Sequence, residues 1–248
     1  MTPTPGELCE ITLELMRRNA FRTNVYVRPF AYKSAERIGV STDDQDAFAI
    51  IVLPFGDYLH AEKGLHAGVS SWRRIEDNAI PARGKISGAY VNSALASDDA
   101  RQCGFEEAIF LNEGGHVAEG ATSNIFMVRK ERLISPPVSE NVLQGITRDS
   151  VMELARELGL EVLERPIDRS ELYVCDELFF AGTAVGVEPI VRVDHRPVED
   201  GAIGAVTRGI QRLYFDATHG HLRAYLKWLE PVYQLQRKPE QDQVALVG

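Results

Sequence analysis

Cysteine is scarce in this sequence. Its three thiols, Cys9, Cys103 and Cys175, are odd in number and form no Cys-x-x-Cys pair. A disulfide framework and a thiolate zinc site are both disfavoured, and a reducing, cytoplasmic compartment is expected. Long apolar runs are also missing. The longest, 47–55, is too short to cross a bilayer and suits a buried strand. Positive charge is in deficit, with 27 Lys and Arg against 36 Asp and Glu for a formal net charge of -9. Such a surface repels nucleic-acid phosphates and anionic lipid, so neither nucleic acid nor membrane is an expected partner. Residues 1–6 carry no basic stretch followed by an apolar core, and no signal peptide is expected. The phosphate loop Gly-x-x-x-x-Gly-Lys-Ser/Thr, the nucleophile elbow Gly-x-Ser-x-Gly and the zinc helix His-Glu-x-x-His do not occur. The six histidines do not fall at ligand spacing, so no metal is expected.

What is present is a globular pattern. With 248 residues, 44% of them hydrophobic, the chain can build one large domain or two smaller ones. Thr4-Pro5 predicts a helix start, with Leu8, Ile11 and Leu15 on one face and Asn19 at the end. Residues 25–32 read as a strand that Pro29 places at an edge or a bulge, and 47–53 as a central strand. Residues 67–75 and 78–88 read as an irregular approach to a helix near 92–102, capped by Gly104. Strands at 107–111 and 116–118 flank the turn Asn112-Glu113-Gly114-Gly115, and 124–128 and 132–135 continue the β-rich middle. An amphipathic helix over 146–158 sets Ile146, Val151, Leu154, Ala155 and Leu158 inward and ends at Gly159. Strands at 161–167, 177–181 and 189–193 and a helix at 204–218 follow. Strands in clusters, with fewer helices, predict a mixed α/β or α+β fold.

Four short segments could carry chemistry. Lys85 lies between Gly84 and Gly88, where a bend could turn its amine inward and bury it, although an isolated lysine is more often a solvated one. Glu119 opens Glu119-Gly120-Ala121-Thr122-Ser123-Asn124-Ile125-Phe126, where a strand meets a turn; a capping carboxylate is the plainer reading. Gly145-Ile146-Thr147-Arg148 starts the amphipathic helix, so free N–H groups and a hydroxyl meet the positive helix end, which suits a phosphate; an ordinary threonine cap fits equally well. Gly182-Thr183-Ala184 ends a buried strand and offers another hydroxyl, or is simply a turn.

Jointly, the order Lys-x-x-Gly-x-Tyr-x-Asn-Ser, Glu-Gly-x-x-x-Asn-Ile-Phe, Leu-x-Gly-Ile-Thr-Arg and Ala-Gly-Thr-Ala resembles the class IV (fold-type IV) aminotransferases, from about residue 25 to about residue 215. The resemblance implies pyridoxal 5'-phosphate as cofactor. Lys85 would be the catalytic, Schiff-base lysine, Tyr90 the phenol at the ring oxygen, and Glu119 the partner of the pyridine nitrogen. Ile146, Thr147 and Thr183 would cradle the phosphate, and Thr183 and Ala184 would also meet substrate. These types suit the chemistry: a lysine serves as covalent anchor and proton carrier, and a carboxylate keeps the ring nitrogen protonated so that the ring withdraws electrons.

Tyr26-Val27-Arg28-Pro29 resembles the pocket strand of the branched-chain group, and Tyr58 falls where that group has another pocket tyrosine. Tyr26, Arg28 and Tyr58 are therefore candidate substrate residues, and transamination of leucine, isoleucine and valine with 2-oxoglutarate is the implied reaction. A D-amino-acid transaminase, an aminodeoxychorismate lyase of the same fold, or a non-catalytic remnant that binds a partner are the alternatives. Ala89 replaces the usual asparagine before the tyrosine, and Ser135 a more usual threonine. Members of the family have several tens of residues before the position of Met1, so the expectation is a chain lacking the N-terminal segment. It would comprise a remnant of the small α/β domain (1–59), a connection (60–65), a cofactor-binding large domain (66–221) and a tail (222–248). A homodimer is implied, with amino acids and 2-oxo acids as its small-molecule partners.

Overall fold

The computed structural model describes residues 3–40, 42–56 and 63–233. They divide into two compact units, one of residues up to 56 together with 229–233, the other of residues 63–228. In the smaller unit, α1 (Pro5–Asn19) starts where the sequence punctuates it. The Thr4 hydroxyl accepts from the Glu7 N–H, the Glu7 carboxylate accepts from the Thr4 N–H, and Pro5 fills the first turn. Leu13 is buried and Leu8, Thr12, Leu15 and Met16 are half-buried, so of the expected Leu8, Ile11 and Leu15 only Ile11, which is 50% exposed, departs. Strands β1 (Val25–Lys33) and β2 (Asp46–Pro54) pair antiparallel without a register break, Pro29 opposite Ile50. Among the described residues β2 pairs only with β1, so it is not the central strand its apolar run suggests.

The larger unit opens with β3 (Leu65–Arg73), then α2 (Tyr90–Gln102), β4 (Glu107–Leu111), β5 (Val117–Gly120), β6 (Asn124–Arg129), β7 (Arg132–Ser135), α3 (Ile146–Glu157), β8 (Glu161–Glu164), β9 (Glu177–Gly182), β10 (Gly186–Val193), β11 (Arg196–Pro197) and α4 (Ala205–Thr218). One mixed sheet runs β5-β4-β3-β10-β9-β6-β7-β8, with β11 beside β10. β3 is parallel to β4 and β10, β7 is parallel to β8, and the other pairs are antiparallel. Just beyond β8 the chain crosses to the opposite edge: the Val117 N–H donates to the Ile167 carbonyl at 2.8 Å, and His116 bridges Asp168. The sheet therefore curls until its two edges meet, which leaves no long unpaired edge there.

Alternation along these strands divides the side chains between two cores. Ile109, Leu111, Ile125, Met127, Leu178 and Phe180 point into the curl. Phe126, Val128, Phe179 and Ala181 point out against Val151, Met152 and Ala155 of α3 and Ile210 of α4. On a third face, Ala108 and Phe110 meet Ala96 and Ala100 of α2. Helix ends follow local chemistry: Gly104 and Gly159 take the left-handed conformation, and the next residues return hydrogen bonds to Ala100 and Ala155.

Three further expectations differ from the structure. Residues 67–75 are not irregular; β3 lies in the middle of the sheet. Its glycine and serines hide it, and Gly68 is there because a Cβ would stand 2.3 Å from the Phe105 ring. The run expected over 161–167 stops at Glu164, after which Pro166 breaks the ladder and the chain changes partner. On α3, Val151, Leu154 and Ala155 are buried as expected, but Leu158 is exposed and Ile146, in the first turn, is 85% exposed. No described helix is long and apolar enough to cross a membrane.

Candidate active site

The ends of several elements of the larger unit converge on a cavity of about 300 Å³. It is lined by Arg74 beyond β3, by Arg83, Lys85 and Tyr90 at the approach to α2, by Glu119 on β5 and Asn124 on β6, by Gly145, Ile146 and Thr147 at the start of α3, and by Gly182 and Thr183 at the end of β9. All the expected cofactor residues, Lys85, Tyr90, Glu119, Ile146, Thr147 and Thr183, are in this lining.

A turn from Pro81 to Gly84, closed by the Gly84 N–H on the Pro81 carbonyl, delivers Lys85 to a short 3-10 turn that runs directly into α2. One helical turn on, Tyr90 meets it: Lys85 Nζ donates to Tyr90 Oη at 2.7 Å. Lys85 itself is exposed rather than buried as expected, and Ala89, in the place of the family's asparagine, is buried.

Glu119 is buried at the end of β5. Its Oε1 faces the Arg74 guanidinium at 2.8 Å. Its Oε2 accepts from Asn124 Nδ2 at 3.2 Å and from the Leu143 N–H at 3.1 Å. Burial pushes its carboxyl up to about 7, opposed by Arg74, the Leu143 N–H, Lys85 and Arg148. The carboxyl thus stands near the balance between neutral acid and anion, and a further cation beside it would favour the anion.

α3 begins at Gly145 without a side-chain cap, so its first N–H groups and the partial positive charge of the helix end are available to an anion. Thr147 is buried there. Gly145 has an ordinary extended conformation; what it provides is space, since a Cβ would stand 2.2 Å from Asn124 Oδ1. Arg148 turns from the cavity lining to Ser135 Oγ, the Pro136 carbonyl and Glu164. The Ser135 hydroxyl donates in turn to the Ile125 carbonyl.

The expected substrate residues are not gathered in the same way. Ala184 is exposed just past Thr183 and outside the lining. Tyr26 and Arg28 belong to the smaller unit, where Arg28 donates to Tyr26 Oη at 3.2 Å. Tyr58 lies outside the described residues. Arg74, Arg83 and Asn124 also line the cavity, with no role expected for them from the sequence. Asn124 stood within a recognised pattern, and its fixed spacing from Glu119 was the available signal. Arg74 could have been found only by recognising β3, which sends Arg73 outward and Arg74 inward.

An amine beside a phenol, a buried carboxylate near its titration point and an uncapped helix start can together hold an anionic ligand with a basic ring. The description "Amino-transferase class IV" fits residues 1–193 of the chain. A protein from Aquifex aeolicus, named as a probable branched-chain-amino-acid aminotransferase, is 48% identical over 229 residues, which are 92% of this chain and 74% of that protein. Two solved structures are similar, each with a TM-score of 0.89 and 41% identity. One is the branched-chain aminotransferase of Thermoproteus uzoniensis with norvaline, matched over 93% of this chain and 77% of that one. The other is the branched-chain amino acid aminotransferase of Thermobaculum terrenum in its PLP form, matched over 93% and 76%.

Proposed function

Because the chain belongs to the class IV aminotransferases, we propose that it transfers amino groups between leucine, isoleucine or valine and 2-oxoglutarate, using pyridoxal 5'-phosphate. The observation that carries this reading is the single cavity that unites the Lys85–Tyr90 pair, the Glu119 carboxylate and the uncapped start of α3. The donor set also fits the cofactor. A carboxylate has about four lone-pair sites; Arg74, Asn124 and Leu143 take three at Glu119, and one on Oε1 remains for a protonated ring nitrogen. When bound, pyridoxal phosphate supplies an electron sink for the carbon that loses its proton.

The chain's residues do the rest. Glu119 keeps the ring nitrogen cationic. Lys85 Nζ is the covalent anchor and, once released, the base that takes and returns the α-proton. Tyr90 receives the Lys85 N–H at Oη, which leaves the phenol hydrogen for the ring oxygen. The Ile146 and Thr147 N–H groups and the Thr183 hydroxyl hold the phosphate. Thr183 and Ala184 receive the substrate; Tyr26, Arg28 and Tyr58 are assigned a substrate role by their motif alone; and the active form is a homodimer. The test is borohydride reduction of the protein loaded with pyridoxal phosphate, followed by peptide mapping and a leucine-to-2-oxoglutarate assay beside D-alanine. Label at Lys85 and turnover of L-leucine are expected. Label elsewhere, or preference for the D-substrate, would overturn the reading.

A further inference from the structure

Arg74 is the one cation of the cavity lining in direct contact with Glu119 among the described residues. Its backbone N–H donates to the Leu111 carbonyl at 2.9 Å, which ties its Cα to the end of β4. Its Nε donates to the Asn141 carbonyl at 3.2 Å, and a terminal nitrogen meets Glu119 Oε1 at 2.8 Å. Asn141 is buried in the left-handed conformation, and its Oδ1 accepts from the Asp77 N–H. Two residues later, Leu143 donates to the other oxygen of Glu119. Arg74 and Leu143 thus grip the carboxylate from both sides, through a loop anchored on the same arginine. The side chains of Arg74 and Glu119 are only 11% and 8% exposed. An ion pair so withdrawn from water is expensive to break from one side, because the remaining charge is left without a partner.

We propose that Arg74 is a positioning residue for cofactor binding: its guanidinium holds Glu119 as an anion in one rotation, so that Oε1 keeps a lone pair for the protonated ring nitrogen. This rests on the reading of Glu119 as the ring nitrogen's partner. The opposing tendency is clear, since burial alone favours the neutral acid. A neutral Glu119 would have a hydrogen of its own and would no longer compensate a cationic ring. Beside Arg74, the charged groups acting on Glu119 are Lys85 ahead of α2 and Arg148 on α3; neither is hydrogen-bonded to it.

The experiment measures the dissociation constant of pyridoxal phosphate from the full chain between pH 6 and 9, by absorbance titration, for wild type, Arg74→Gln, Arg74→Lys, Glu119→Gln and the Arg74→Gln/Glu119→Gln double variant. Loss of a charge-assisted contact predicts binding weaker by on the order of 10- to 100-fold for Arg74→Gln near neutral pH. That penalty should shrink as pH rises, because Glu119 without Arg74 keeps its proton to higher pH. Arg74→Lys should restore most of the affinity, and in the Glu119→Gln background Arg74→Gln should add little. A penalty equal at every pH, or undiminished in the Glu119→Gln background, would make Arg74 merely structural and overturn the proposal. Wild-type binding with Glu119→Gln indistinguishable from it would instead remove the reading of Glu119, and the proposal with it.

Discussion

Gly145→Ala perturbs the cavity at a single atom. Its added Cβ would stand 2.2 Å from Asn124 Oδ1, far inside contact distance, and 3.5 Å from Arg148 Cβ. The buried Asn124 amide has to swing aside. It then loses two hydrogen bonds: Nδ2 to the Leu143 carbonyl at 2.9 Å and Nδ2 to Glu119 Oε2 at 3.2 Å. A neutral bond contributes about 1 kcal/mol and a bond to a charged group about 1.5–3 kcal/mol, so the loss is roughly 2.5–4 kcal/mol. Alanine restricts the unfolded chain more than glycine, worth about 0.4–1 kcal/mol in the other direction, while as an N-cap it is worse than glycine by a similar amount. These two offset each other, leaving a net destabilisation of about 2.5–4 kcal/mol. For a chain of this size that lowers Tm by roughly 5–16 °C, at about 2–4 °C per kcal/mol. Thermal unfolding of the apoprotein reads it directly, with Gly6→Ala as the comparison: Gly6 has open space around its Cβ in the first turn of α1, so that variant should match or exceed the wild type. A Gly145→Ala protein that melts with the wild type would show that Asn124 is free to move and that its two bonds contribute nothing.

Three further outcomes follow from the same kind of accounting. Glu177 caps α4 from outside the helix, accepting from the Val206 N–H, the Thr207 N–H and the Thr207 hydroxyl; Glu177→Gln should cost about 1.5–3 kcal/mol in urea unfolding, and an unchanged midpoint would refute the cap. Gly68→Ala forces a Cβ to within 2.3 Å of the Phe105 ring, an overpacking worth about 1–3 kcal/mol, and Phe105→Leu in the same chain should relieve part of it; no loss from Gly68→Ala alone would mean that β3 does not need its glycine. Folding raises the Glu119 carboxyl from 4.5 to about 7, so the fold binds that proton more tightly than the unfolded chain does. The contribution is complete below pH 4.5 and is lost as pH rises through 7, approaching about 3 kcal/mol at 1.36 kcal/mol per unit. Stability of the wild-type apoprotein should therefore fall relative to Glu119→Gln across that window, and parallel pH curves would refute it.

What could be read in the sequence was what neighbours decide. Thr4 and Pro5 place the start of α1 within one turn, and Gly104 and Gly159 end their helices by a backbone conformation that other residues rarely adopt. The residues proposed for the cofactor were legible as a joint pattern that the fold gathers into one cavity lining, because their spacing along the chain follows the order in which element ends reach it. The losses have distant causes. β3 was missed because Gly68, Ser70 and Ser71 suit a loop by composition, whereas the glycine answers Phe105, which packs beneath it after α2 has intervened. Ile146 looked like the first core residue of α3 by periodicity, yet the cavity at the helix start leaves it no core to enter. Arg74 escaped with β3, since without the strand's alternation nothing distinguishes it from Arg73.

The curled sheet also explains why the polar groups gather where they do. Along β4, β6 and β9 both faces are already committed, one to the interior of the curl and the other to α2, α3 or α4. A charged side chain in mid-strand would be buried with no partner, at a cost that apolar neighbours cannot offset. The strand ends escape this restriction. Glu119 and Thr183 lie where β5 and β9 run out, Asn124 where β6 begins, and Arg74 one residue beyond β3. There the backbone supplies donors and acceptors that no longer belong to the ladder: the Leu143 N–H, the Leu143 carbonyl and the Asn141 carbonyl each satisfy one of these side chains. The loop from Pro137 to Gly145 is therefore part of the site although none of its side chains was a candidate, since it supplies through its backbone the contacts that fix Glu119, Asn124 and Arg74. Substitutions in that loop should act on the site in proportion to how far they move its peptide groups, and hardly at all through the identity of the side chains that face solvent.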